Sequence, residues 1–117
     1  MPCALGGVLT EQNLASIKAR LVCGAANNQL SDPRVAEMLM DRGITYVPDY
    51  VVNAGGIISV TAEYLGESQA SVDQRIAQIG PRVSHILNEA RRQHIPPTHV
   101  ADQMAEVIMA QAGRRAA

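Results

Sequence analysis

Apolar and polar positions in the first half of the chain alternate in a way that predicts helices and short strands in turn. Apolar side chains recur at helical spacing behind a polar capping residue, Thr10, and predict a helix over about residues 10–20. The apolar runs 21–23 and 44–47 predict two buried strands. Between them, residues 32–43 combine a helical stripe with start and stop signals, so a second helix is predicted there.

The second half of the chain has a helical pattern throughout. An apolar stripe over residues 57–65 predicts a helix with Tyr64 on its buried side and Glu63 on its exposed side. Apolar residues over 72–90 recur at alternating spacings of four and three, which predicts one face of a single long helix. The proline pair at 96–97 interrupts this pattern, and a last helix is expected after it.

The order of these elements predicts the fold class. Helix, strand, helix, strand and helix in succession favour parallel strands with right-handed crossovers, and hence an α/β fold that is helix-dominated overall. The chain divides at residue 66 into an α/β segment, 1–66, and a helical segment, 67–117. A parallel sheet of about two strands leaves apolar surface uncovered, so we expect self-association or a partner chain.

Three short stretches rich in amides and small residues are predicted to meet at one edge of this sheet. They are "PCALGG" (2–7), "GAANNQ" (24–29) and "VVNAGG" (51–56). Ligands of parallel sheets bind beyond the carboxyl ends of the strands, and two of these stretches directly follow the strands. Amides both donate and accept hydrogen bonds, and glycine or alanine lets a ligand touch the backbone. The pattern suits a polar, uncharged ligand part such as a carboxamide or a ribose; tight turns and a loop bonded to itself are the alternatives.

Composition narrows the class of partner. The net charge is −1 and the aromatic residues are three Tyr without Phe or Trp, so neither nucleic acid nor an anionic membrane is expected as a partner. No apolar run is long enough to span a membrane. Cys3 and Cys23 sit among small apolar residues and are expected to be buried free thiols in a reducing compartment. A cytoplasmic protein is the resulting expectation.

Other groups with catalytic or metal-binding potential give weaker indications. His85, His94 and His99 fit no metal pattern and are expected at solvated positions. The single lysine, Lys18, is predicted on the polar side of its helix, and no G-x-G-x-x-G or phosphate-binding loop occurs. Asp49 follows Pro48 and is interpreted either as a turn-forming residue or as a catalytic carboxylate.

The three stretches together resemble the Glu/Leu/Phe/Val dehydrogenase family. "PCALGGVL", "GAANNQL" and "GITYVPDYVVNAGGIISV" match in order and spacing, most closely over residues 2–66, and "ALGG" with "GAANNQ" is similar to the leucine, valine and phenylalanine branch. Members are nicotinamide-dependent enzymes that oxidatively deaminate L-amino acids to 2-oxo acids.

This resemblance implies a C-terminal portion of such an enzyme, namely the second half of a Rossmann-like domain followed by long C-terminal helices. The family's catalytic lysines and aspartate and its glycine-rich dinucleotide loop would lie outside these residues, so no catalytic residue is assigned and the chain alone is expected to be inactive. The alternative is a non-catalytic remnant, a helical interaction module that packs on another subunit through the 72–90 face.

The resemblance also implies roles for five residues. Asn53 would hydrogen-bond the substrate, an amino acid or its 2-oxo acid, near the reacting carbon. Cys3 and Ala4 would lie near the nicotinamide end of NAD, and Ala26 and Asn27 would contact the nicotinamide ribose or carboxamide. The choice between NAD and NADP stays open, because the acidic residue that sets it is not among these residues.

Overall fold

The chain alternates helices with two short strands before it becomes entirely helical. The computed structural model describes the backbone of residues 1–116 and the side chains of residues 1–113. The elements in chain order are α1 (Glu11–Leu14), β1 (Leu21–Val22), α2 (Arg34–Asp41), β2 (Thr45–Tyr46), α3 (Asp49–Val52), α4 (Gly55–Leu65), α5 (Gln69–Ala77), α6 (Ile79–Gln93) and α7 (Pro97–Ala116). A helix-rich chain with a small parallel sheet agrees with the predicted α/β class.

The two strands form a parallel pair, as predicted. Leu21 lies opposite Thr45 and Val22 opposite Tyr46, and the ladder continues through Val47 N–H, which donates to the Val22 carbonyl at 2.9 Å. Both strands are shorter than the apolar runs that predicted them. Because the strands are parallel, the chain segments that follow them leave the sheet side by side at one edge.

Apolar side chains on one face of α2 pack against the sheet. Leu39 of α2 is completely buried, and a Leu side chain taken fully out of water stabilises a fold by about 1.5–3 kcal/mol. The core cluster around it consists of Leu9, Leu14, Val22, Val35, Leu39, Ile44 and Tyr46. The short α1 contributes Leu14 to this cluster, and its end at that residue corrects the predicted helix over 10–20.

The single long helix predicted over 72–90 is wrong, because the chain breaks into α5 and α6 at Gln78. Pro81 has no N–H to donate, and in a continuous helix its ring would clash with the carbonyl of Ala77. In the first turn of a new helix the missing N–H has no consequence. Pro81 therefore ends α5 at Ala77 and is accommodated near the start of α6.

A second apolar cluster joins α6 to α7. It consists of Ile86, Ala90, Val100 and Ala101, with Val51 of α3 packed against it. Only two residues separate β2 from α3. The contact with α3 therefore places the C-terminal helices against the end of the sheet. The C-terminal half of the 72–90 face is thereby occupied within the chain itself.

One helix carries an apolar face that nothing in the described chain covers. Ile57, Val60, Tyr64 and Leu65 of α4 are each more than three-fifths exposed, and we call this set the α4 face. The prediction of uncovered apolar surface is confirmed, but the prediction that Tyr64 lies on a buried side is wrong, since it is 88% exposed. Glu63 is exposed as predicted. The division of the chain at residue 66 stays a prediction; Gly66 ends α4 with a left-handed φ of 67°.

Within residues 1–116, no helix combines the length and the apolar character that crossing a membrane requires.

Candidate functional site

The three amide-rich and glycine-rich stretches meet at the edge of the sheet, and their predicted convergence is confirmed. The N–H of Ala26 donates to the carbonyl of Pro2 at 3.1 Å, and the N–H of Gly7 donates to the carbonyl of Asn28 at 2.7 Å. These two backbone hydrogen bonds fasten both ends of the first stretch to the second. A side-chain hydrogen bond, described below, fastens the third stretch to the second.

Two glycines permit this close approach of backbone to backbone. A Cβ added to Gly24 would lie 2.0 Å from the carbonyl oxygen of Pro2, and one added to Gly6 would lie 2.8 Å from that of Asn27. Contacts this short are not tolerated between a Cβ and rigid backbone. These two glycines are therefore required for close packing at the edge. At these two positions, packing explains the glycine without any contact to a ligand.

Asn53 and Asn27 form the centre of the edge. Asn53 lies directly after α3, and its Nδ2 donates to Oδ1 of Asn27 at 2.5 Å and to the carbonyl of Ala25 at 3.4 Å. Within the described residues, Oδ1 of Asn53 and Nδ2 of Asn27 make no hydrogen bond. The pair therefore offers one acceptor and one donor group side by side, a pattern that complements a primary carboxamide, or an amine next to a carbonyl.

A cleft of about 780 Å³ lies in front of this pair. Gly55 and Gly56 line it, and a Cβ on either would meet no atom within 4 Å, so these two glycines face open space rather than packed chain. Among the described lining residues there is one carboxylate, Asp49, and no Lys, Arg or His. The cleft therefore suits a neutral or cationic group rather than a phosphate.

Two buried polar residues, Asp49 and Gln29, hold the backbone of the edge by hydrogen bonds. Asp49 is 6% exposed, and its Oδ2 accepts from the N–H of Gln29 at 3.0 Å and from the hydroxyl of Tyr46 at 2.6 Å. Gln29 is completely buried, and its Nε2 donates to the carbonyls of Gly24 and Ala26, both at 2.9 Å. Burial, and then the hydrogen bond to Asp49, raise the pKa of Tyr46 far above its ordinary value, so its hydroxyl stays protonated as a donor.

These contacts decide two open alternatives. Gln29 is bonded to its own loop, which is the self-bonded alternative stated for this kind of stretch. Asp49 opens α3 and holds backbone, which favours its structural interpretation over a directly catalytic one. The sequence signal for Asp49 was its position after Pro48 at a strand end; for Gln29, the pattern of small residues before it gave no sign of complete burial.

Comparison with known proteins identifies the family. The family profile described as Glutamate/Leucine/Phenylalanine/Valine dehydrogenase matches residues 1–114. The chain belongs to this family. The resemblance stated from the three motifs is thereby confirmed.

Relatives of this dehydrogenase family member are considerably longer than the chain. Valine dehydrogenase from Streptomyces albus is 46% identical over 114 residues, which are 97% of this chain and 31% of the relative. Leucine dehydrogenase from Geobacillus stearothermophilus is 41% identical over 105 residues, covering 90% of this chain and 29% of the relative. The chain thus spans about a third of the length of the curated relatives it matches.

Solved structures of the family agree with the fold. The structure of L-tryptophan dehydrogenase from Nostoc punctiforme superposes on this chain with a TM-score of 0.89 at 35% identity. The matched region is 97% of this chain and 35% of the tryptophan dehydrogenase chain. Glutamate dehydrogenase from Peptoniphilus asaccharolyticus gives a TM-score of 0.68 at 26% identity, over 96% of this chain and 31% of that chain. The described arrangement is therefore one that dehydrogenases of this family contain.

The other residues predicted to contact the cofactor in this family member lie around the same edge. Ala26 is buried, while Cys3 and Ala4 are exposed between the two fastened ends of the first stretch. The exposure of Cys3 corrects the prediction of a buried thiol; Cys23 is half-buried. Cys3 follows Pro2, whose carbonyl accepts from the N–H of Ala26, and the chain stays exposed from Cys3 to Val8.

The remaining candidate residues of the family member stay outside the cleft. Lys18 is exposed and follows the end of α1, so it is not on a helix as predicted. His85, His94 and His99 are exposed as expected, and His94 ends α6 with a left-handed φ of 55°. Across the described residues, no group of three potential metal ligands occurs.

Proposed function

We propose that the chain is the cofactor-side portion of an NAD-dependent L-amino acid dehydrogenase. The reaction would be the oxidative deamination of a branched-chain or aromatic L-amino acid to its 2-oxo acid, as the names of the relatives suggest. The observation that carries the proposal is the Asn53–Asn27 pair at an edge where three motif stretches converge.

The residues of the cleft fit the nicotinamide end of NAD. Nδ2 of Asn27 is free to donate to the carboxamide oxygen or a ribose hydroxyl, and Cys3 and Ala4 follow Pro2, which is bonded to the neighbouring Ala26. The bare backbone at Gly55 leaves room for a flat ring. A bound nicotinamide would supply the acceptor for the substrate's hydride. The absence of cationic lining residues among those described agrees with the nicotinamide end and not with the pyrophosphate.

Asn53 would orient the substrate. Its Nδ2 is held by Asn27 and Ala25, which leaves Oδ1 as an acceptor of fixed direction for the amino group of the amino acid. An acceptor fixed before the substrate arrives reduces the entropy lost on binding and holds the reacting carbon in place. The same cleft offers no lysine, since Lys18 lies elsewhere, so proton transfer is assigned to groups outside the cleft.

Two further parts of the proposal concern the whole enzyme. The parallel pair of β1 and β2 with α2 between them would be the second half of a Rossmann-like domain. The α4 face would be covered by a partner chain or by the remainder of the enzyme. The 117 residues alone are expected to be inactive. The alternative of an interaction module that uses the 72–90 face is not favoured, because Ile86 and Ala90 are buried against α7.

A segment exchange tests the proposal. In valine dehydrogenase from Streptomyces albus, the matched segment is replaced by the corresponding residues of this chain, which is 46% identical over 114 residues. The chimera should reduce NAD in the presence of branched-chain amino acids, followed by the absorbance of NADH. Asn53→Ala should lower kcat/KM by roughly 10- to 100-fold, since a hydrogen bond to a charged group contributes about 1.5–3 kcal/mol.

The matched control is Asn88→Ala, which removes an exposed amide from α6 and should leave activity unchanged. A folded, assembled but inactive chimera would contradict the proposal, as would full activity of the Asn53→Ala chimera. Turnover by the 117-residue chain alone would refute the assignment of proton transfer to groups outside the cleft.

A further inference from the structure

We infer that Asp49 is a positioning residue that sets the geometry of the Asn27–Asn53 pair. The inference rests on the function proposed above for the significance of that pair. The contacts that support it are independent of any ligand.

Asp49 is bonded to both stretches that carry the pair. Its side-chain Oδ2 accepts from the N–H of Gln29 at 3.0 Å, and its backbone carbonyl accepts from the N–H of Asn53 at 2.9 Å. One residue therefore connects the stretch that follows β1 to the stretch that follows β2. The hydrogen bond between the side chains of Asn53 and Asn27 connects the same two stretches a second time, at the exposed surface.

Gln29 passes this constraint to Asn27. Its buried amide donates to the carbonyls of Gly24 and Ala26, which curls the stretch around the side chain. Asn28 then has a left-handed φ of 51°, a conformation that asparagine adopts more readily than most other non-glycine residues. Asn27 is exposed and lies between Ala26 and Gln29 in this bent stretch. The orientation of its side chain therefore depends on the hydrogen bonds of Gln29.

The carboxylate suits this task better than a neutral group of similar size. Two donors, the Gln29 N–H and the Tyr46 hydroxyl, point at the same oxygen, and hydrogen bonds to an ionised acceptor are stronger than neutral ones. Asp49 is 6% exposed, so water does not compete for these bonds. Asp49 also lines the cleft, but its Oδ2 is held by Gln29 and Tyr46, so the role assigned to that oxygen is to position the amide pair.

The test uses the full chain with ¹⁵N-labelled side-chain amides, and Asn53→Ala serves to assign the Asn53 signal. Asp49→Ala should remove the downfield shift that the hydrogen bond to Asn27 gives the Asn53 amide. Asp49→Asn keeps an acceptor for the Gln29 N–H and should restore most of that shift. The control Asp41→Asn changes an exposed carboxylate and should leave the spectrum of the pair unaltered.

A titration with NAD gives the second readout, and it uses the valine dehydrogenase chimera, which supplies the dinucleotide loop that lies outside this chain. Asp49→Ala should weaken NAD binding by roughly tenfold or more, because misplacing a binding group by about 1 Å has effects of up to a hundredfold. Asp49→Asn should bind within a few-fold of the unaltered chimera. If the unaltered chimera does not bind NAD, the proposed function loses its support, while the amide signals still decide the positioning role.

Retention of the downfield Asn53 signal and of NAD affinity in a folded Asp49→Ala protein would overturn the inference. If Asp49→Ala does not fold, native-state hydrogen exchange of the unaltered chain decides. The amides of Gln29 and Asn53, both bonded to Asp49, should open together with similar protection. Protection that differs more than about tenfold between them would show separate openings and overturn the inference.

Discussion

The substitution Gly56→Ala distinguishes the effect of this glycine on helix stability from its effect on ligand binding in the cleft. Gly56 is the second residue of α4, and a Cβ built on it meets no atom within 4 Å. Alanine is favoured over glycine by about 1 kcal/mol in a helix interior, and by less in the first turn. We therefore expect the free energy of unfolding to rise by about 0.5 kcal/mol.

The same methyl group would extend into the cleft beside Asn53. A ligand that contacts bare backbone there would have to move away, and overpacking of this kind costs about 1–3 kcal/mol, or roughly 5- to 150-fold in affinity. The assays are urea unfolding of the chain for stability and a titration of the valine dehydrogenase chimera with NAD for affinity. The variant should be more stable and bind more weakly.

Gly113→Ala is the matched control, because Gly113 lies in α7 with no atom within 4 Å of an added Cβ and outside the cleft. It should stabilise the chain by a similar amount and leave NAD binding unchanged. Loss of stability in Gly56→Ala would refute the assignment of open space above α4. Unchanged affinity would refute contact between ligand and backbone at this position.

Three further outcomes are expected. Gly24→Ala places a Cβ 2.0 Å from the Pro2 carbonyl oxygen and should lower the free energy of unfolding by about 2–4 kcal/mol in urea, from overpacking and one lost hydrogen bond; near-wild-type stability would show that the first stretch is not held there. A hydrogen bond from Arg92, and then others, lower the pKa of Glu89 from its ordinary 4.5 to about 2, so its stabilising contribution is complete above 4.5 and is lost as the pH falls towards 2; Glu89→Gln should make the urea midpoint less dependent on pH in that window, and an unchanged pH dependence would contradict this. Tyr64→Ser removes the 88% exposed ring of the α4 face and should change stability by less than about 0.5 kcal/mol while reducing self-association in sedimentation experiments; a monodisperse unaltered monomer would exclude such association.

The convergence of the second and third stretches was predictable because topology alone requires it. Parallel strands joined by a crossover place their carboxyl ends together, so residues 24–29 and 51–56 had to emerge side by side whatever their side-chain contacts. The hydrogen bond between Asn53 and Asn27 could not be predicted from topology. Two amides at one edge can meet each other, water or a ligand, and only their coordinates distinguish these cases.

Two predictions were wrong because apolar spacing omits information about neighbouring elements and about the backbone. Periodicity reports that a residue is apolar on one side of a helix, but not whether another element covers that side. Tyr64 therefore had the pattern of a buried residue and is exposed. Likewise, the apolar spacing over 72–90 continued through Gln78, whereas the backbone could not, because Pro81 forbids one continuous helix.

Asp49 and Gln29 show a different limit of sequence reasoning. Both are polar residues in a class that is usually exposed, and their burial depends on partners 20 residues apart in the sequence. No local pattern contains that information. The strand topology located the edge on which they act, and the family resemblance gave neither residue a role.

The convergence of three separate stretches links ligand binding to the folding equilibrium of the chain. A ligand that requires residues from all three stretches binds only the folded state, so at a hundred times its dissociation constant it would add about 2.7 kcal/mol to stability. Thermal denaturation would then report occupancy directly, without any catalytic turnover. The melting temperature of this chain is thereby a screen for its own ligand, in which nicotinamide-containing compounds and amino acids can be ranked singly or in pairs.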